Sequence, residues 1–170
     1  ELANGRMPDS YDDGCGDGSW KAPPIEPSPV VTGMTEEEAQ RWLGDVLGVS
    51  RETLDRLDRF RAMVIAENAR QNLISAATIP HFWARHIVDS AQLLPLAPAA
   101  GRWIDLGTGA GFPGIVVAIL REGPITLVES RRKRVDFLAE SVKALGLSHV
   151  TIHCGRLVTL KPQPCSVISA

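Results

Sequence analysis

The chain has 170 residues, 44% of them hydrophobic and 22% charged, with a formal net charge of −2. These values suit one soluble domain with an appendage, and no apolar run reaches the roughly 18 residues a membrane span needs. Cys15, Cys154 and Cys165 form neither a disulfide framework nor a zinc pattern, and nothing at the N-terminus reads as a secretory signal, so the expectation is a cytoplasmic protein away from membranes. The charge is unevenly placed. Residues 1–38 hold nine acids and two bases, whereas 39–170 hold sixteen bases and eleven acids. A basic body suits a polyanionic partner, and it equally suits plain solubility.

Residues 1–33 are rich in Gly, Pro, Asp and Ser without apolar periodicity, which predicts a disordered leader. A helical cap is predicted over 34–98. Thr35 and Glu38 stand at capping-box spacing ahead of Trp42, Leu43, Val46 and Leu47, and Gly48 ends this helix. Ser50 caps a second helix on which Leu54, Leu57, Phe60, Val64 and Ile65 recur at helical spacing, with Arg56, Arg59, Arg61 and Arg70 on other faces. Residues 72–78 break the pattern. A third helix is predicted from about Ile79 to Leu94, stopped by Pro95 and Pro98.

From residue 99 the pattern changes to strands and helices in alternation. Arg102 to Leu106 reads as a strand that runs into Gly107-Thr108-Gly109-Ala110-Gly111-Phe112-Pro113-Gly114, with Pro113 near the first turn of the following helix. Ile125 to Val128 is a second strand, Ser130 caps a helix that Gly146 ends, Val150 to His153 is a third strand, and Ser166 to Ser169 a fourth. Short turns between such elements mean parallel βαβ units in a doubly wound, Rossmann-like α/β core over 99–170. Sheets of this type usually continue beyond four strands, so the C-terminal strands are expected to be missing.

A glycine-rich turn between a strand and a helix offers backbone N–H groups to a ligand and lets it approach the chain closely. Two ligand classes fit. Gly109, Gly111 and Gly114 satisfy the G-x-G-x-x-G spacing of a nicotinamide dinucleotide site, which would make the chain an oxidoreductase. S-adenosylmethionine instead carries a sulfonium, an ammonium and a ribose diol, and wants carboxylates nearby. Asp105, two residues before Gly107, can face the ammonium or a water around it, and Glu129 at the end of the second strand can accept the ribose hydroxyls. An acid beside the turn would repel a pyrophosphate and attract a cationic cofactor, which favours S-adenosylmethionine. Asp105 can also serve as a turn-capping carboxylate, and Glu129 as a solvated strand end.

The runs Asn72-Leu73-Ile74-Ser75, Arg85-His86-Ile87-Val88-Asp89-Ser90 and Ile104-Asp105-Leu106-Gly107-Thr108-Gly109-Ala110-Gly111-Phe112-Pro113-Gly114 resemble the RsmG family, also called glucose-inhibited division protein B, over about residues 35–170. The resemblance implies a methyltransferase that uses S-adenosylmethionine to modify N7 of a guanosine in small-subunit (16S) ribosomal RNA. The partner would be 16S rRNA or the small ribosomal subunit, with no DNA and no membrane involved and the protein a monomer. It places Gly107 and Phe112 against the cofactor, Glu129 on the ribose, and the backbone of Leu157 and Val158 against the adenine. The sequence departs from the family in two ways. The family commonly has an acid where this chain has Val158, and it continues past Ala170 with an active-site arginine, so a catalytically dead rRNA-binding fragment is a further reading.

Methyl transfer to N7, which has a free lone pair, is an in-line displacement that needs alignment rather than a general base, and no catalytic residue is assigned. RNA would be held through phosphates by basic side chains. Arg131, Arg132, Lys133 and Arg134 form the densest cluster beside the cofactor turn, and Arg85 and His86 precede the turn and can line the same mouth, with Asn72 bracing the region. The run 131–134 can equally be a solvated helix face, His86 a packed hydrogen-bonded histidine, and Asp89 a structural hydrogen-bonding group. Phe82, Trp83 and Trp103 read as core.

Overall fold

The structure, a computed structural model, describes residues 33–170, so the leader predicted over 1–33 and Cys15 lie, but for Gly33, outside the described residues. Helix α1 spans Glu36–Leu47. Its capping box forms as spaced: Glu38 N donates to Thr35 Oγ1 at 3.2 Å and Thr35 N to Glu38 Oε2 at 2.8 Å. Helix α2, Arg51–Gln71, starts at Ser50, whose hydroxyl accepts the Thr53 amide at 3.2 Å, and ends at Asn72. Leu57, Phe60 and Val64 are its buried stripe. Two of the arginines on its other faces have a structural use: Arg56 Nη2 donates to Leu145 O at 3.0 Å and Arg59 Nη2 to Ala144 O at 2.8 Å, satisfying carbonyls at the C-terminal end of a helix of the sheet layer.

The predicted third helix is not one regular helix. Residues Ala76–His81 form a 3-10 segment, Trp83–Val88 a π-helical segment, Asp89–Ala91 a single α turn (α3) and Leu94–Leu96 another 3-10 turn. Pro80 lies inside the first segment, where its missing N–H interrupts a regular α ladder. Glu36 of α1 reaches across to accept the amides of Trp83 at 3.0 Å and Ala84 at 3.4 Å, which ties the start of the π segment to α1.

The sheet is parallel, in the order β3-β2-β1-β4, with β1 Trp103–Leu106, β2 Ile125–Glu129, β3 Val150–Cys154 and β4 Val167–Ser169. Helix α4, Gly114–Leu120, joins β1 to β2, and α5, Arg132–Ala144, joins β2 to β3. All five residues of β2 are buried, as fits an inner parallel strand covered on both faces. One apolar cluster runs from Ala39 and Leu43 through Phe60, Phe82 and Ile87 to Ile115, Leu127, Phe137 and Leu147, so cap and sheet share a core. Phe60 and Phe82 of the cap meet Phe112 of the glycine turn at ring-centroid distances of 5.4 and 5.8 Å. Cys154 and Cys165 are free and exposed. No helix among the described residues is long and apolar enough to cross a membrane.

Candidate cofactor and substrate site

Parallel strands carry their carboxyl ends to one edge of the sheet, and ligands of such sheets bind in the crevice there. The register pairs Asp105 of β1 with Leu127 of β2 and Ser169 of β4, so the glycine turn, Glu129 and the end of β4 gather at that edge. Gly107 sits at φ +70° with no atom within 4 Å of where a side chain would begin. It is an exposed shelf that only glycine occupies without strain.

Asp105 is fully buried, and both its oxygens are engaged. Oδ2 accepts the amide of Gly114, the first residue of α4, at 3.0 Å, and Oδ1 accepts the hydroxyl of Ser169 at 2.7 Å. Burial pushes its pKa above the ordinary aspartate value, opposed by the Thr108 and Ser169 hydroxyls and the Gly114 amide. The Thr108 hydroxyl faces this carboxylate from outside hydrogen-bonding geometry and is itself buried without a partner among the described residues. The geometry gives Asp105 the turn-capping role that the sequence also allowed, through its bond to the Gly114 amide. The same bond weighs against the dinucleotide alternative. The amide that a pyrophosphate would seek at the start of α4 is already held by an internal carboxylate.

Glu129 also bonds to backbone. Oε1 accepts the amides of Ser130 at 2.7 Å and Arg131 at 2.8 Å, and Oε2 accepts that of Gly109 at 3.1 Å, with Arg134 Nη1 3.8 Å away. Ser130 does not cap α5 as the sequence suggested. Arg131 is the cap residue without a side-chain bond, and the Glu129 carboxylate takes the free amides there. Three of its roughly four acceptor sites are used. An acid locked to the glycine turn, beside an open glycine shelf, fits a cationic cofactor with a ribose diol. The fit leaves Glu129 room for one hydroxyl before the Gly109 amide must yield.

The basic run does not form one patch. Arg131 and Lys133 are exposed, Arg132 pairs on the surface with Asp136 at 2.9 Å, and Arg134 turns inward to Glu129. Gln71 of α2 donates to the Lys133 carbonyl at 3.1 Å, which holds the run against the cap. Leu157 and Val158 lie in a short 3-10 turn after β3 and are exposed. The Gly155 amide donates to Glu129 O at 2.9 Å, bringing that turn beside the acid.

Arg85 and His86 lie on the other flank of the turn. They line a cavity of about 660 Å³ together with Asp89, Phe112 and Ser169. His86 stacks on Phe112 at 4.9 Å and 25°, and its Nε2 shares a hydrogen bond with Thr78 Oγ1 at 2.8 Å. Burial, and then the charge of Arg85, lower its pKa, which favours a neutral imidazole. It is the packed histidine of the plainer reading, and it forms part of the cavity wall. Asn72 ends α2 as its left-handed cap residue at φ 51°. Sequence reasoning passed over Ser169 and Thr108. Their single clue was a position beside an acid or within the glycine turn.

The fold is the Rossmann-like α/β fold of methyltransferases. A solved structure from Klebsiella pneumoniae, provisionally assigned as an O-methyltransferase, shares that fold with a TM-score of 0.51 at 16% identity, covering 76% of this chain and 57% of that one. The family model described as rRNA small subunit methyltransferase G matches residues 53–170, and the chain belongs to that family. Ribosomal RNA small subunit methyltransferase G of Zymomonas mobilis is 51% identical over 146 residues, which cover 81% of this chain and 66% of the relative. Its Sphingopyxis alaskensis counterpart is 52% identical over 137 residues, covering 79% and 59%. The chain thus spans about three fifths to two thirds of the length of these curated relatives.

Proposed function

We propose that this chain carries the cofactor-binding part of a cytoplasmic enzyme that methylates N7 of a guanosine in 16S ribosomal RNA, acting as a monomer on the rRNA or the small subunit. The observation that carries the cofactor choice is the Asp105–Gly114 bond, which occupies the helix amide a dinucleotide would need, while Glu129 is bonded to the Gly109 amide of the glycine turn.

In this reading S-adenosylmethionine, when bound, supplies a methyl group activated by a sulfonium. Gly107 and Gly109 let it lie against the backbone, and Glu129 accepts a ribose hydroxyl. The exposed Leu157 and Val158 turn covers the adenine, and Phe112 closes the side toward the cap. The chain's own work is alignment, which supplies several kcal/mol, up to about 7–11 in the best-oriented systems. The guanine N7 lone pair needs no deprotonation, and a neutral His86 on Phe112 excludes water rather than moving a proton. Arg85, Arg131 and Lys133 hold RNA phosphates from two sides of the mouth, and Arg132 joins them when it leaves Asp136.

Calorimetric titration with S-adenosylmethionine, with NAD as control, tests the cofactor. Transfer of a labelled methyl group to deproteinised 16S rRNA and to small subunits tests the substrate. Saturable binding of S-adenosylmethionine alone, with label recovered as 7-methylguanosine, is the expected result. Binding of NAD in its place would overturn the reading.

A further inference from the structure

The cavity beside the glycine turn contains a carboxylate that the reading above does not use. Asp89 follows the π-helical segment and is half-buried in the cavity wall. Among the described residues its only hydrogen bond comes from Gln92 Nε2 to Oδ1, at a long 3.4 Å, and no cation lies within 4 Å of it. Arg85, four residues earlier, is exposed and makes no ion pair among the described residues. Burial raises the Asp89 pKa, with Arg85 opposing. Asp89 therefore keeps acceptor capacity free in the cavity wall, which a ligand that brings donors can fill.

The other walls restrict the ligand. Phe112 and His86, stacked on each other, form one aromatic wall, with Arg85 and the end of β4 also lining the cavity. A base turned out of its stack is read in this way, by stacking and by hydrogen bonds to its Watson–Crick edge. Among the four bases only guanine presents two adjacent donors there, N1–H and the N2 amino group. A carboxylate, which only accepts, matches that pair and no other base edge. N7 lies on the opposite edge of the purine and stays free.

We propose that Asp89 reads guanine, accepting N1–H and N2–H through its two oxygens while the base packs against the wall that Phe112 and His86 form. This rests on the guanosine-methylating reading above and names the residue that selects the base.

The test uses the full chain and a short hairpin RNA with one unpaired guanosine in its loop, compared with the same RNA carrying inosine, which lacks the N2 amino group. Binding of each RNA is followed by fluorescence anisotropy in the presence of S-adenosylmethionine, and methyl transfer to each is measured in parallel. The native chain is expected to prefer guanosine by about tenfold, the equivalent of one good hydrogen bond of about 1.4 kcal/mol. In Asp89→Ala and Asp89→Asn this preference falls to near unity, while S-adenosylmethionine affinity and melting temperature stay within error. A guanosine preference that survives both substitutions overturns the proposal. So does a native chain with no preference, and methyl transfer then separates the two failures: transfer to guanosine leaves the enzyme reading standing, and transfer to neither RNA removes both. If Asp89→Ala melts early, the isosteric Asp89→Asn carries the comparison.

Discussion

Ser169 Oγ donates to Asp105 Oδ1 at 2.7 Å, and Trp103 Nε1 donates to Ser169 Oγ at the same distance. With the Gly114 amide on Oδ2, this chain of bonds ties β1, β4 and the start of α4 into one unit directly beneath the glycine turn. The shape of the turn therefore depends on a buried carboxylate. Asp105→Ala would leave the Gly114 amide and the Ser169 hydroxyl without their acceptor and is expected to destabilise the fold by about 2–4 kcal/mol, measured by urea unfolding.

The same carboxylate sets a pH dependence. Because burial raises its folded-state pKa above the unfolded value, the folded chain holds the Asp105 proton more tightly than the unfolded chain. The stability from this group is fully present below the ordinary aspartate pKa and is lost as pH rises through the folded value. Asp105→Asn removes this dependence. Native unfolding free energy, measured relative to Asp105→Asn, is expected to decline as pH rises from about 4 toward neutrality. A difference independent of pH would show that hydrogen bonds fully offset burial.

Gly114 and Gly44 make a matched pair. A Cβ on Gly114 would run into Leu127 Cδ2, lie 2.6 Å from Asp105 Oδ2 and lie 3.0 Å from Thr108 Oγ1, whereas Gly44 in α1 has nothing within 4 Å. Gly114→Ala is expected to cost about 1–3 kcal/mol and to weaken cofactor binding through the displaced Asp105. Gly44→Ala is expected to stabilise by about 0.5–1 kcal/mol, since it replaces glycine within a helix without a clash. Thermal melts of the two variants read out the contrast.

Arg134 and Glu129 should separate cofactor capture from RNA binding. Glu129→Gln keeps the side-chain volume but turns one acceptor oxygen into a donor facing backbone amides. S-adenosylmethionine affinity is expected to fall about tenfold or more by calorimetry. Arg134→Gln removes the cation 3.8 Å from Glu129 Oε2 and is expected to change cofactor affinity more than RNA affinity. The opposite order would return Arg134 to the RNA surface.

Neutralising Arg131 and Lys133, which are exposed at the start of α5, is expected to weaken binding of any RNA to a similar degree. The slope of log affinity against log salt should shrink by about one for each charge that meets a phosphate. An unchanged slope would assign these two residues to ordinary solvation.

The alternation of strands and helices in a parallel sheet, the capped helices α1 and α2, the glycine turn and the acid ending β2 were legible in the sequence, because each follows from local rules: alternation of elements, cap residues and turn chemistry. The break-up of the predicted third helix was half legible, since Pro80 was visible but the π segment held by Glu36 was not. What the two acids do was decided by the tertiary structure alone. Asp105 and Glu129 read alike as carboxylates at strand ends. Yet Asp105 meets Ser169, 64 positions away, and the first amide of α4, while Glu129 takes the amides of Gly109, Ser130 and Arg131. Such pairings depend on which strands lie side by side and how deep each side chain is buried. Sequence spacing carries neither, which is why the cavity that joins Arg85, His86 and Asp89 to the end of β4 becomes visible only in the folded chain.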